Sequence, residues 1–185
     1  EREEKLNVKK LEHYFNESLP MFQTNLFISL IEGRITEADC EKFLAAYQIR
    51  MDGPLFGCAV FHTSEHHVPE GMNVLLLSMS VEQEIRERIA EKWKSQMFTY
   101  LGNTVLVMEL NSEEDVVAFT DDCDRFCRWA YRVMGAVVTA GIGRACDSLF
   151  TINQSYAGAR EAVSYRVLYG TQRAINIGEI APTEQ

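Results

Sequence analysis

No stretch of this 185-residue chain approaches the ~20 consecutive apolar residues that a membrane-spanning helix requires, and none resembles a signal peptide. There is no block rich in lysine or arginine, and the formal net charge is −9. Non-specific nucleic-acid binding depends on neutralising phosphates, so this chain by itself is a poor DNA binder. The five cysteines (Cys40, Cys58, Cys123, Cys127 and Cys146) are an odd number in a chain too long to need a disulfide framework. That usage fits a reducing, cytoplasmic setting. A Gly-x-Ser-x-Gly nucleophile turn, an internal repeat and low-complexity sequence are also missing.

Apolar residues make up 46% of the chain, enough for a packed core and too many for disorder. The start at Glu1 and the linker-like end at residues 181–185 suggest a piece of a longer protein. Apolar positions Leu11, Phe15, Leu19, Phe22, Leu26 and Leu30 recur in steps of three and four, giving an amphipathic helix that stops at Gly33. Pro20 should kink it or start a second helix. Two readings of the stripe stay open: packing on its own domain, or a parallel dimer seam. Thr36 followed by Asp39 resembles a capping box, opening a helix with Phe43, Leu44 and Tyr47 inward.

Asp52-Gly53-Pro54 reads as a turn, Leu55–Thr63 as a buried strand and residues 62–71 as a polar loop. Pro69 suits the first turn of a helix, and 72–93 fits helical spacing only in part, its start reading equally well as a strand. Met97–Tyr100 and Thr104–Leu110 flank Gly102-Asn103, a hairpin signal because both residues tolerate positive φ. Ser112 begins a helix through Met134, with Val116, Phe119, Cys123, Phe126, Cys127 and Ala130 on its apolar face.

The end of the chain has the clearest organisation. Val137–Ile142 is a β-rich run closed by Gly141 and Gly143. Asp147 or Ser148 then caps a helix with Leu149, Ile152, Tyr156, Ala159, Val163 and Val167 on one face. Gly170 ends it, and Ile175 and Ile177 alternate with polar neighbours as a half-buried strand does. The Thr-x-Gly-Ile-Gly strand, Ser-Tyr-x-x-Ala-x-x-Ala, and Tyr-Arg-x-x-x-Gly before a final strand resemble the end of GGDEF-type domains, the fold of diguanylate cyclases. The match is closer to the degenerate GGDEF-like domain mid-chain in AraC-type two-component response regulators. The run from Glu12 to Gly33 resembles the helical linker that precedes that domain.

The resemblance implies an α+β fold: a mostly antiparallel, ferredoxin-like sheet with packed helices, one of them a long helix over 72–93. Residues 1–50 would be the helical linker, 51–180 the GGDEF-like domain and 181–185 a linker tail. It implies a regulatory, signal-coupling role in a bacterial transcription regulator acting as a homodimer. DNA would be read by a helix-turn-helix domain, and the sensor kinase met through a phosphorylated receiver domain, neither of them in this chain. In active cyclases the hairpin reads Gly-Gly-Asp-Glu-Phe, its acids serving magnesium and catalysis, and the first strand ends in an Asp ligand. Here Leu101, Gly102, Asn103, Thr104 and Val105 occupy the hairpin positions, and the strand-end acid falls near His62. An amide and a hydroxyl do not hold Mg²⁺ against triphosphate as carboxylates do. No catalysis, cofactor or metal is therefore expected. The alternatives are a small-molecule or nucleotide sensor using the relic cleft, and a residual diguanylate cyclase.

Other chemistry is thinly represented. His62, Glu65, His66 and His67 are dense, but they follow a strand and lack an obvious fourth zinc ligand, so they read as a polar loop. Cys123 and Cys127 share a helix face without a second pair and read as small core residues. Gly141-Ile142-Gly143 lacks the third glycine of a dinucleotide fingerprint, Cys146 standing there, and reads as a strand-ending turn. Tyr156, Tyr165 and Tyr169 could stack on a ligand, or complete a core or interface.

Overall fold

The computed structural model describes residues 2–180, so the tail expected at 181–185 lies outside the described residues. The chain divides into two compact units, the first up to Met51 and the second from Asp52. Among the described residues no helix is long and apolar enough to cross a membrane.

The first unit holds α1 (Arg2–Ile31) and α2 (Glu37–Ala46). Pro20 lies inside α1, which continues as one helix, so of the two outcomes expected there, a kink or a new start, no second helix begins. The position is exposed, and so is Asn16 four residues before it, whose carbonyl loses a partner and can turn to water instead. The Thr36 hydroxyl accepts from the Asp39 N–H (3.2 Å) and opens α2. Phe43, Leu44 and Tyr47 are only half-buried, and Cys40 is the buried side chain of α2. Tyr47 stacks on both Phe22 and Phe43 with ring centroids 5.4 Å apart, and its carbonyl accepts from the Gln23 amide (2.9 Å).

The second unit is α+β. Its strands are β1 (Leu55–Thr63), β2 (Ser95–Tyr100), β3 (Asn103–Leu110), β4 (Val138–Ile142) and β5 (Ala174–Asn176). They form one sheet in the order β2-β3-β1-β4-β5, antiparallel except for the β4–β5 pair. Between them run α3 (Val74–Ile85), a π-helical turn (Arg86–Ala90), α4 (Glu113–Met134), α5 (Ile152–Ser164), α6 (Arg166–Tyr169) and α7 (Ile177–Ile180). Successive strand residues face opposite sides, so Ala59 and Phe61 of β1 join the core under α3 and α4, while Cys58 meets α5.

Several local expectations change. The helix start is Asn73, whose side chain accepts from the Leu75 N–H (2.7 Å), and Pro69 lies in the loop before it. Ser148 is the cap chosen at the last helix, which begins as a 3₁₀ turn, and Val167 is 84% exposed instead of continuing the buried face. The break lies at Tyr165: α5 has already ended there, and the short α6 turns its side chains in new directions. Strand β5 is buried throughout, not half-buried, because helices cover both its faces; Ile177 belongs to α7. Ile175 and Ile177 pack with Ala162 of α5, and on the other side the Asn176 amide donates to Thr120 of α4 (3.1 Å).

The Gly141 and Gly143 positions are explained by the seat of α5. A Cβ on Gly141 would lie 2.1 Å from the Ala159 carbonyl oxygen, and one on Gly143 would lie 1.9 Å from that of Ser155. Neither glycine has a positive φ, so close approach of backbones, not a turn, requires them. Ser155 is buried there and its hydroxyl accepts from the Cys58 N–H (3.0 Å).

Candidate functional site

A cleft of about 540 Å³ opens where the end of β1, the β2–β3 hairpin and the start of β4 converge. The antiparallel register sets Phe61 opposite Thr104 and Tyr100 opposite Asn103, which brings the end of β1 beside the hairpin. There the His62 Nδ1–H donates to the Asn103 amide oxygen (3.1 Å). The sheet thus brings together two of the positions singled out in the sequence, forty-one residues apart.

The hairpin turn itself is displaced by one residue from expectation. Leu101 (φ +49°) and Gly102 (φ +78°) form the two-residue loop, and Asn103 is already the first residue of β3. Two successive positive φ angles match the right-handed twist of the flanking strands, which is why the chain accepts a leucine there at a cost. The Leu101 side chain is 66% exposed. Thr104 is half-buried and Val105 fully buried, so Val105 is core and not a ligand position.

The loop after β1 supplies the rest of one wall. The Ser64 N–H donates to the Val137 carbonyl (2.9 Å), and its hydroxyl bonds His67 Nδ1 (2.9 Å) and accepts from the His66 N–H (3.3 Å). Glu65 is the one carboxylate among the lining residues. The histidines thus share the cleft, yet among the described residues no three His, Cys, Asp or Glu side chains group as a metal site. Magnesium and a triphosphate fit this donor set poorly. The Asn103 oxygen accepts from His62, and apart from the single Glu65 carboxylate the donors are imidazole, amide and hydroxyl groups, softer or weaker than the oxygen anions a hard cation selects.

Thr139, Arg166 and Thr171 also line the cleft; the first two lie in the motifs that carry the family resemblance without having been marked as site residues, and Thr171 lies outside them. Thr139 sits opposite His62 across the β1–β4 pair, a register that a sequence alone does not give. Arg166 donates to the Val163 carbonyl (3.0 Å) and lies in the Tyr-Arg segment that carries the family resemblance. Of the three tyrosines, Tyr156 is buried and packs edge-on against Tyr100 with centroids 5.8 Å apart. Tyr165 and Tyr169 pair on the outside, and the hydrogen bond from the Tyr165 hydroxyl to Glu161 (3.1 Å) pushes that phenol up from its ordinary value. All five cysteines are free, and burial raises the Cys58, Cys123 and Cys127 thiols, as expected of inert core residues.

The five-stranded sheet with α3 and α4 on one face and α5 on the other, its hairpin beside the end of the first strand, is the architecture anticipated from the sequence. No curated protein matches the chain. The family model described as the GGDEF-like domain matches residues 32–165. With more than two thirds of its length so matched, the chain belongs to the GGDEF-like domain family.

Proposed function

We propose that this domain is the catalytically inactive, signal-coupling module of an AraC-type two-component response regulator in the bacterial cytoplasm. The observation that carries the reading is the His62–Asn103 hydrogen bond. At two of the three places where a working cyclase keeps acids for its metal and its chemistry, this chain has an imidazole and an amide hydrogen-bonded to each other, and at the third the Thr104 hydroxyl. The test is incubation with GTP and Mg²⁺ or Mn²⁺, with chromatography for cyclic dinucleotide. The expected result is no product; clear turnover abolished by changing Asn103 would reverse the assignment.

In such a regulator the domain connects phosphorylation of a receiver to the placement of paired DNA-binding domains, and α1 supplies the dimer contact. Residues 2–14 of α1 are exposed all round, including Leu6, Leu11 and Tyr14. A helix of that length without tertiary packing is marginal in water, and a second α1 alongside it is the natural partner. Sedimentation across a concentration series should show a dimer that Leu11→Glu disperses. A strictly monomeric protein at high concentration would remove the dimer contact from the proposal.

A second reading, ligand sensing without turnover, is favoured by the cleft itself, which keeps about 540 Å³ between the hairpin and Arg166. A thermal-shift screen separates it. A ligand at 100 times its dissociation constant stabilises by ~2.7 kcal/mol, and no such shift is expected from the coupling role alone.

A further inference from the structure

A second groove, of about 660 Å³, lies between the π-helical turn and α4, within the α3/α4 layer. In a chain of net charge −9 its lining is five cations and a single acid, Asp122. Arg125, Arg128 and Arg132 recur on α4 at steps of three and four, so their guanidinium groups follow one face over about 10 Å of helix. Arg88 and Lys92 face them from the other wall. Arg88 lies in the π turn, an irregularity that recurs at functional positions, and its guanidinium rests 3.6 Å from the Trp129 ring centroid.

The cations are held in place while remaining open to solvent. Asp122 is 9% exposed and accepts from Lys92 Nζ (2.7 Å), Trp93 Nε1 (2.9 Å) and Arg125. Arg128 pairs with Asp124 (2.6 Å) and Arg88 with Glu84 (2.8 Å), yet all four paired cations stay about half or more exposed. The groove is broad and open along one side, with cations spaced along two walls and Trp129 between them. Arginine and tryptophan are the side chains that most often anchor protein interfaces.

We propose that this groove docks an acidic helical segment of a partner protein. Carboxylates repeating every three to four residues on the partner match the Arg125, Arg128 and Arg132 spacing, and an apolar side chain between them covers Trp129. The surface lies apart from the His62 cleft and does not depend on the regulatory reading above.

The test uses the full chain and three probes: an 18-residue alanine-based helix with glutamates on one face around a central phenylalanine, the same composition scrambled, and inorganic pyrophosphate. Tryptophan fluorescence reports binding. The patterned helix should bind at 50 mM salt, weaken at least tenfold by 300 mM, and weaken at least tenfold in the Arg128→Gln/Arg132→Gln variant. Its melting temperature should stay near that of the parent, and Trp129→Ala should weaken binding independently. Equal binding of the scrambled peptide, binding unaffected by the double variant, or pyrophosphate binding more tightly than the helix would each overturn the proposal.

Discussion

Replacing Gly143 by alanine places one methyl group where the backbone of α5 already stands. Its carbon would lie 1.9 Å from the Ser155 carbonyl oxygen and 2.6 Å from the Ser155 hydroxyl. Non-bonded contacts settle near 3.5 Å, so α5 has to withdraw by about 1.5 Å at this point. Overpacking of this kind costs about 1–3 kcal/mol. The same withdrawal parts the Ser155 hydroxyl from the Cys58 N–H in the middle of β1, and an orphaned buried donor adds about 1–3 kcal/mol. The expected total is about 2–6 kcal/mol, a large share of the stability of a single domain. For a chain of this size that lowers the melting temperature by about 4–24 °C, which thermal and urea denaturation followed by circular dichroism will measure. Gly141→Ala should behave alike, its methyl carbon falling 2.1 Å from the Ala159 oxygen. Gly158→Ala is the internal control. It sits on α5 with its nearest new contact at 3.2 Å from Ile177 Cγ2, and helix propensity favours alanine by up to about 1 kcal/mol. If Gly143→Ala and Gly158→Ala melted within a degree of each other, the backbone-contact account of these glycines would be wrong.

Two further outcomes follow from named contacts. Burial pushes the Asp122 carboxyl up, but donation from Lys92, Trp93 and Arg125 outweighs it, so its pKa lies below the ordinary carboxylate value. A lowered carboxylate contributes stability above its unfolded value of about 3.9 and loses that contribution as the pH falls through the folded value. Asp122→Asn should therefore cost about 1–2 kcal/mol at pH 7 by urea denaturation, and the gap from the parent should shrink toward zero as the pH falls below the ordinary carboxylate range. Leu101→Gly should raise stability by about 0.5–1 kcal/mol, because it removes the left-handed strain of an exposed leucine; a loss on thermal melting would mean the Leu101 side chain is anchoring the hairpin.

Where periodicity spoke to one covering layer, the sequence was legible. The faces of α4 and α5, the hairpin strands and the long buried β1 all follow from spacing alone. Elements failed where a second layer or a terminus intervened. Ile175 and Ile177 look like a half-buried strand by alternation, yet Thr120 on one side and Ala162 on the other leave β5 no solvent face. Val167 keeps the spacing of α5 but follows a helix end at Tyr165 that no glycine or proline marks. Gly102-Asn103 has the composition of a tight turn, but strand pairing moved the loop back to Leu101, where propensity alone would not put it. At the cleft, His62 and Asn103 were legible as a pair only through the family pattern. Thr139 stood in the Thr-x-Gly-Ile-Gly pattern without being marked as a cleft residue, and Thr171 carried no signal, since only the fold brings them there. The i, i+3, i+7 arginines of α4, by contrast, stand openly in the sequence and needed only the facing π turn to become a groove.

The seating of α5 at Gly141 and Gly143 has a mechanical side. With the Ala159 and Ser155 carbonyls resting on strand backbone, little side-chain padding lies between helix and sheet there to absorb a displacement. Sideways creep of the helix would drive carbonyl oxygens into strand atoms, so α5 and β4 travel as one stiff piece. A displacement of α5 is thereby passed on to β4 instead of being taken up between them.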